Sequence, residues 1–141
     1  MDMDHLARVR RICLALPETT EKEAWGAPTF RVRDKLFAMY VNNHHNDGRI
    51  ALWLKAPPGV QEQLVASAPD LFFVPPYVGP QGWIGLHLNQ NDDASVTNCV
   101  REAYRLVAPK KLLALLQPAE PQSPHQAKRA PSGRRQKDRD R

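Results

Sequence analysis

The chain has 141 residues, 42% of them hydrophobic, and a formal net charge of +5, which suits one domain around one modest core. No apolar run approaches the roughly 18 residues needed to cross a bilayer. Met1–Leu16 mixes Asp2, Asp4, Arg8, Arg10 and Arg11 with its apolar residues, unlike the charged-then-apolar order of a secretory signal. These features point to no membrane partner and to the cytoplasm, where Cys13 and Cys99 are read as reduced core thiols.

The charge is unevenly spread. Pro118–Arg141 holds seven basic residues, three acidic residues and four prolines, whereas residues 1–117 hold thirteen basic and twelve acidic residues. The division is therefore a folded domain over 1–117 and a disordered, basic, proline-rich tail over 118–141, too poor in apolar residues to offset chain entropy. The sequence pI of about 9.5 belongs mainly to the tail, so whole-chain charge is no argument for nucleic-acid binding by the domain.

Asp4 is placed to cap a helix running to about Leu16, with Leu6, Val9, Ile12, Cys13 and Leu16 on one stripe. Pro17 ends it. Thr20 and Glu23 fit a capping box, so Glu18–Glu23 is expected to form a short helical turn. Trp25-Gly26-Ala27-Pro28 is expected as a loop. The period then changes to two. Thr29–Arg33 alternates, Leu36–Val41 is a nearly continuous apolar strand, and Arg33-Asp34-Lys35 between them suits a tight hairpin, with Asp34 tolerating a positive φ. Asn42–Gly48 is a polar loop, and Arg49–Lys55 is the third strand. A helix from about Pro58 to Ser67 is closed by Pro69. Leu71–Val74 is a short strand, Pro75–Gly82 a loop, and Trp83–Leu88 another alternating strand. Asp92 or Asp93 caps the last long helix, whose stripe is Val96, Val100, Ala103 and Val107; Pro109 interrupts it and Lys110–Leu116 continues. The order is α-β-β-β-α-β-β-α, with no internal repeat. The short links imply an α+β fold of two layers, an antiparallel sheet with helices on one face.

No motif of known chemistry appears. There is no Cys-x-x-Cys, His-Glu-x-x-His, phosphate-binding loop or Gly-x-Ser-x-Gly elbow. His44-His45 with Asp47 reads as a solvated cluster. Gly79, Gly82 and Gly85 precede and begin a strand, whereas a phosphate cradle uses a helix N-terminus. Glu18, Glu21 and Glu23 flank a lysine and read as surface. Cys13 lies near Arg10 and Arg11, but on the apolar stripe. The chain is thus expected to be non-enzymatic, with no metal and no cofactor.

The sheet offers the one suggestive constellation. If Phe30, Val32, Ile50, Leu52, Leu54, Ile84, Leu86 and Leu88 face the helices, alternation puts Arg31, Arg33, Ala51, Trp53, Lys55, Trp83, Gly85 and His87 on the other side. Lys35 and Arg49 lie near the strand ends. Cations between two indole rings suit a phosphate backbone and stacked bases. The alternative is that Trp53 and Trp83 pack beneath the proline-rich loop or the 110–116 helix.

An ordered series of motifs then points to a family. Leu16-Pro17-Glu18, Trp25 to Val32, Lys35-Leu36-Phe37-Ala38, Leu52-Trp53-Leu54-Lys55, Pro76-Tyr77-Val78-Gly79 with Gly82-Trp83, and Ala103 to Lys111 resemble the bacterial MmcQ/YjbR family over about residues 4–116. The resemblance implies a double-wing α+β fold similar to secretion-chaperone-like domains, DNA binding, and no catalytic residues. Asp34 stands where that family's hairpin is expected to carry glycine. The site expected from this reading is Arg31, Arg33, Lys35, Trp53, Lys55, Trp83 and His87 on DNA. The alternatives are a protein-interaction or chaperone-like module, and a small-ligand or enzymatic role built on a closed pocket with His87, Tyr77 and acidic groups.

Overall fold

The structure, a computed structural model, describes residues 4–116; the tail expected over 118–141 lies outside the described residues. Helix α1 (His5–Leu14) starts as expected, with the Asp4 carboxylate accepting from the Ala7 amide at 3.1 Å. It buries Arg8, Val9, Ile12 and Cys13. Helix α2 is Val60–Ser67, α3 is Asp93–Val107, and α4 is Lys110–Leu113. Asp92 caps α3 by accepting from the Ser95 amide at 2.9 Å.

The strands are β1 (Thr19–Ala24), β2 (Ala27–Val32), β3 (Lys35–Asn42), β4 (Ile50–Leu54), β5 (Phe72–Phe73) and β6 (Ile84–His87). They form one antiparallel sheet in the order β1-β2-β3-β4-β6-β5. The α+β, two-layer reading is therefore right, but the sheet has a strand that local sequence signals did not reveal. Thr19–Ala24 is an edge strand, not a helical turn, and Trp25-Gly26 is its hairpin turn, not an open loop. Pairing explains the correction. Ala24 sits opposite Ala27, so only Trp25 and Gly26 bridge the strands, with φ of 55° and 76°. Positive φ at both central residues defines the turn whose twist matches a right-twisted ribbon. Once that turn closes, ladder bonds along β2 outweigh the single capping interaction that Thr20 and Glu23 offer a helix. Arg33 and Asp34 make a second turn of the same kind, with φ of 51° and 68°, so Asp34 takes the positive φ anticipated for it.

A bulge lies in β3. Phe30 pairs with Ala38 and Arg31 with Leu36, leaving Phe37 as the extra residue. It turns Phe37 and Ala38 toward the same side. Phe37 thereby reaches the helices, where its ring meets Tyr104 edge-to-face at 5.6 Å. The helix-side core gathers Val9, Phe30, Val32, Leu52, Leu54, Leu86, Val96, Val100 and Tyr104. Residues on the opposite face of the sheet form a second, smaller apolar cluster: Ala27, Met39, Val41, Ala51, Trp53, Phe73 and Trp83.

Candidate functional site

The second cluster places the candidate site. The strand alternation assigned Ala51, Trp53 and Trp83 to the side away from the helices, and there they lie. The face is not an open basic surface, however. Trp53 is 2% exposed and Trp83 5%, so neither ring is presented for stacking on a base. What covers them is the segment after β5. Val78 packs on the cluster, and a 3-10 turn over Gly79–Gln81 closes back onto Trp83. Gln61 on α2 fastens this segment, its Nε2 donating to the Gly79 carbonyl at 2.8 Å and the Trp83 carbonyl at 2.7 Å. Gly82, at φ 89°, ends the turn.

Between this cover and the sheet is a cavity of about 550 Å³ lined by Trp25, Leu36, Met39, His44, Trp53, Tyr77, Val78, Gln81 and Trp83. That size falls within the range of small-molecule sites. His44 braces two of its walls, standing edge-to-face with Trp53 at 5.1 Å and with Tyr77 at 5.8 Å. Trp25 and Tyr77 form the rim; they are 72% and 66% exposed and both have left-handed backbones, with φ of 55° and 64°. Bulky residues rarely adopt that conformation. The Trp53 Nε1–H is buried and meets no hydrogen-bond acceptor among the described residues.

The cations expected to share this face are scattered. Arg33 sits in a turn and pairs with Glu18 at 2.7 Å, which raises the guanidinium pKa and lowers that of the carboxyl. Arg31 is half-buried, and its Nε donates to Thr29 Oγ1 at 3.2 Å. Lys35 is exposed at the hairpin. Lys55 stays beside the cluster, its Nζ 5.8 Å from the Trp83 ring centre, and Arg49 lies over the cluster's Phe73, its Cζ 4.1 Å from that ring centre. His87 lies on the same sheet face, at the Phe73 end of the cluster. Its ring packs on Phe73 at 4.7 Å, at a separate polar hollow with Arg49, Asp70 and Asn89. Burial, and then the Arg49 charge, lower its pKa from the usual 6.5. Phe73 in turn lies against the bare backbone of Gly85, where an added Cβ would stand 2.4 Å from the ring.

The structure therefore brings together Trp53 and Trp83, with Lys55 at their margin; Arg31 stands across the ladder from the cavity residue Leu36, His87 packs on the cluster's Phe73, and Arg33 and Lys35 lie at the hairpin. The alternative that the two tryptophans pack beneath the proline-rich loop is what the structure shows, through Tyr77, Val78 and Gln81; sequence reasoning missed Trp25, Leu36, Met39 and His44 as their further partners. The available signal was the aromatic content of the two loops, Trp25-Gly26 and Pro76-Tyr77, which rank as breakers when read locally.

The lining has no carboxylate or thiol, and its one hydroxyl belongs to Tyr77, whose ring stands against His44. Cys13 and Cys99 lie on the helix side, and burial pushes both thiols up, Cys99 to about 11. Among the described residues no group of three or more His, Cys, Asp or Glu is placed to hold a metal ion, and no helix is long and apolar enough to cross a membrane.

The fold defines a class: a two-layer α+β domain with an open, six-stranded antiparallel sheet. Within that class the chain belongs to the YjbR family, whose model matches residues 14–106. A Deinococcus radiodurans protein of known crystal structure, DR2400, carrying a DUF419 domain, has a similar fold; at 20% identity it covers 75% of this chain and 80% of its own, with a TM-score of 0.62. No curated protein sequence matches. Four of the stretches that resemble the family, those holding Trp25, Leu36, Trp53, and Tyr77-Val78 with Trp83, each send a side chain into the cavity wall.

Proposed function

We propose that this YjbR-family domain is a non-enzymatic binding module that takes a small apolar organic molecule into the aromatic cavity. The observation that carries the proposal is the cavity itself: about 550 Å³, walled by Trp53, Trp83, Met39 and Leu36, with two exposed aromatic rings at its rim. Apolar walls with a few convergent polar groups characterise small-molecule sites. The absence of a carboxylate or thiol from the lining supports binding without catalysis. The test is titration with the neutral apolar dye 6-propionyl-2-(dimethylamino)naphthalene, followed by its fluorescence. Saturable one-to-one binding is expected, with Leu36→Trp, which fills the cavity from β3, weakening it about tenfold or more. Equal affinity in wild type and Leu36→Trp would place the dye outside the cavity and sink the proposal.

A second reading is contact with the phosphate backbone of DNA. Arg31, Lys35 and Lys55 support it, because none of the three is paired with a carboxylate among the described residues. In this reading they position the strand while the buried tryptophans shape the sheet and take no part in stacking.

A further inference from the structure

At the Phe73 end of the apolar cluster is a second hollow, and it is polar. We propose that it binds a small carboxylate between the Arg49 guanidinium and the His87 imidazole. The proposal stands apart from the cavity reading, since no residue lines both places.

Accessible donors without acceptors carry it. The hollow measures about 280 Å³, and Arg49, Asp70, His87, Asn89 and Gln90 line it. Among the described residues the Arg49 guanidinium donates no hydrogen bond, and its ion pair with Asp47 is 3.9 Å long. The His87 ring makes no hydrogen bond there either. The nitrogens of both side chains keep accessible surface, unlike the sealed Nε1 of Trp53, so an incoming oxygen can reach them.

Both groups are braced by the fold. Arg49 Cζ stands 4.1 Å from the centre of the Phe73 ring, and the His87 ring centre stands 4.7 Å from it. Phe73 pairs with Gly85 on β6 and lies against its bare backbone, which leaves the ring no room to sink further. Asn91 Nδ2 donates to the carbonyls of His87, at 2.9 Å, and Leu71, at 3.2 Å, and so fixes the end of β6. Bracing of this kind limits the ordering cost of binding.

Charge sets the class of ligand. Burial, and then the nearby Arg49, disfavour the imidazolium at His87, while Asp47 favours it; an anion seated between the two cations favours it further. The planar guanidinium fork matches the paired oxygens of a carboxylate. Asp70 lines the same hollow and Asp47 lies beside Arg49. A doubly charged phosphate would meet both of those carboxylates, whereas one negative charge is balanced by Arg49 and a protonated His87.

Formate, the smallest carboxylate, tests this in the ¹⁵N-labelled full chain, with inorganic phosphate as the second probe. The His87 imidazole signals are followed between about pH 5 and pH 8. Saturable binding is expected at the hollow, tighter as pH falls, and formate should raise the His87 pKa. Arg49→Met keeps a stem over Phe73 and removes the fork, so formate should bind about tenfold or more weakly, the loss of a charge-assisted hydrogen bond. Asp70→Asn removes a repelling charge and should bind formate more tightly. No saturable shift at the hollow, an unmoved His87 pKa, or affinity unchanged in Arg49→Met overturns the proposal. So does weaker binding by Asp70→Asn, and phosphate bound more tightly than formate overturns the assignment to a carboxylate. Should Arg49→Met fail to fold, the His87 pKa in wild type and the affinity of Asp70→Asn decide the matter.

Discussion

Trp25 is costly where it stands. It occupies the first central position of a two-residue hairpin turn at φ 55°, and its side chain is 72% exposed. Asparagine and glycine suit that position, because a Cβ-bearing bulky residue loses about 1 kcal/mol or more in the left-handed region. The turn does not need an indole, and the core gains little from a ring so exposed. The rim of the cavity does gain, since the ring extends its aromatic wall beyond the buried rings of Trp53 and Trp83. Trp25→Asn should therefore separate the two roles. We expect a domain more stable by up to about 1 kcal/mol in urea denaturation together with weaker binding of the cavity dye. A variant that loses both stability and binding would show instead that the indole serves the fold.

At the scale of elements, α1 is joined to the start of α3 through Arg8. The side chain is 5% exposed. Its Nε donates to Asp93 at 2.6 Å, and its terminal nitrogens donate to the carbonyls of Leu88, at 2.7 Å, and Asn91. Arg8 lies off the apolar stripe of α1 and is of a type usually exposed; what buries it is the segment between β6 and α3, about eighty residues on, which no window along the chain contains. The same limit hid β1. A capping-box pattern is local, whereas strand pairing across Trp25-Gly26 depends on β2 being present. Elements fixed by local features, the capped α1 and α3 and the Arg33-Asp34 turn, were legible. The link at Arg8 has a pH signature. Hydrogen bonds from Arg8 hold the Asp93 carboxyl below its ordinary 3.8, with Arg11 adding to the effect. A depressed carboxyl pKa means the unfolded chain binds the proton more readily, so this contribution is complete above about pH 4 and is lost as pH falls through the folded value. Denaturation midpoints across acid pH should fall more steeply for wild type than for Asp93→Asn, and the variant should be the less stable of the two at neutral pH, where Arg8 stays buried without its counter-charge. Parallel curves for the two proteins would remove Asp93 from the acid transition.

For the whole molecule, period-two alternation correctly told which side chains share a sheet face, and it told nothing about what lies above that face. Ala51, Trp53 and Trp83 emerged on the expected side, but the cover over them comes from Val78 and the Gly79–Gln81 turn, pinned by Gln61 from a different element. Cations assigned by alternation fared differently for a similar reason: a turn residue has no face, so Arg33 left the set once its φ became positive. What remains is a charge question that only the full chain can answer. Residues 1–117 carry thirteen basic and twelve acidic residues, and Pro118–Arg141 carries seven and three. Affinity of the full chain for duplex DNA therefore has two separable sources, three cations of the sheet region or the basic residues near the C-terminus. Each phosphate neutralised changes the slope of log K against log salt by about 0.9. If Arg31, Lys35 and Lys55 contact the backbone, changing all three to Ala in the full chain should flatten that slope by about 2 to 3. The dye in the cavity should bind as before if Lys55 contributes charge alone. A slope unchanged by the triple substitution would assign any DNA affinity to residues 118–141 and leave the aromatic cavity as the binding feature of the domain.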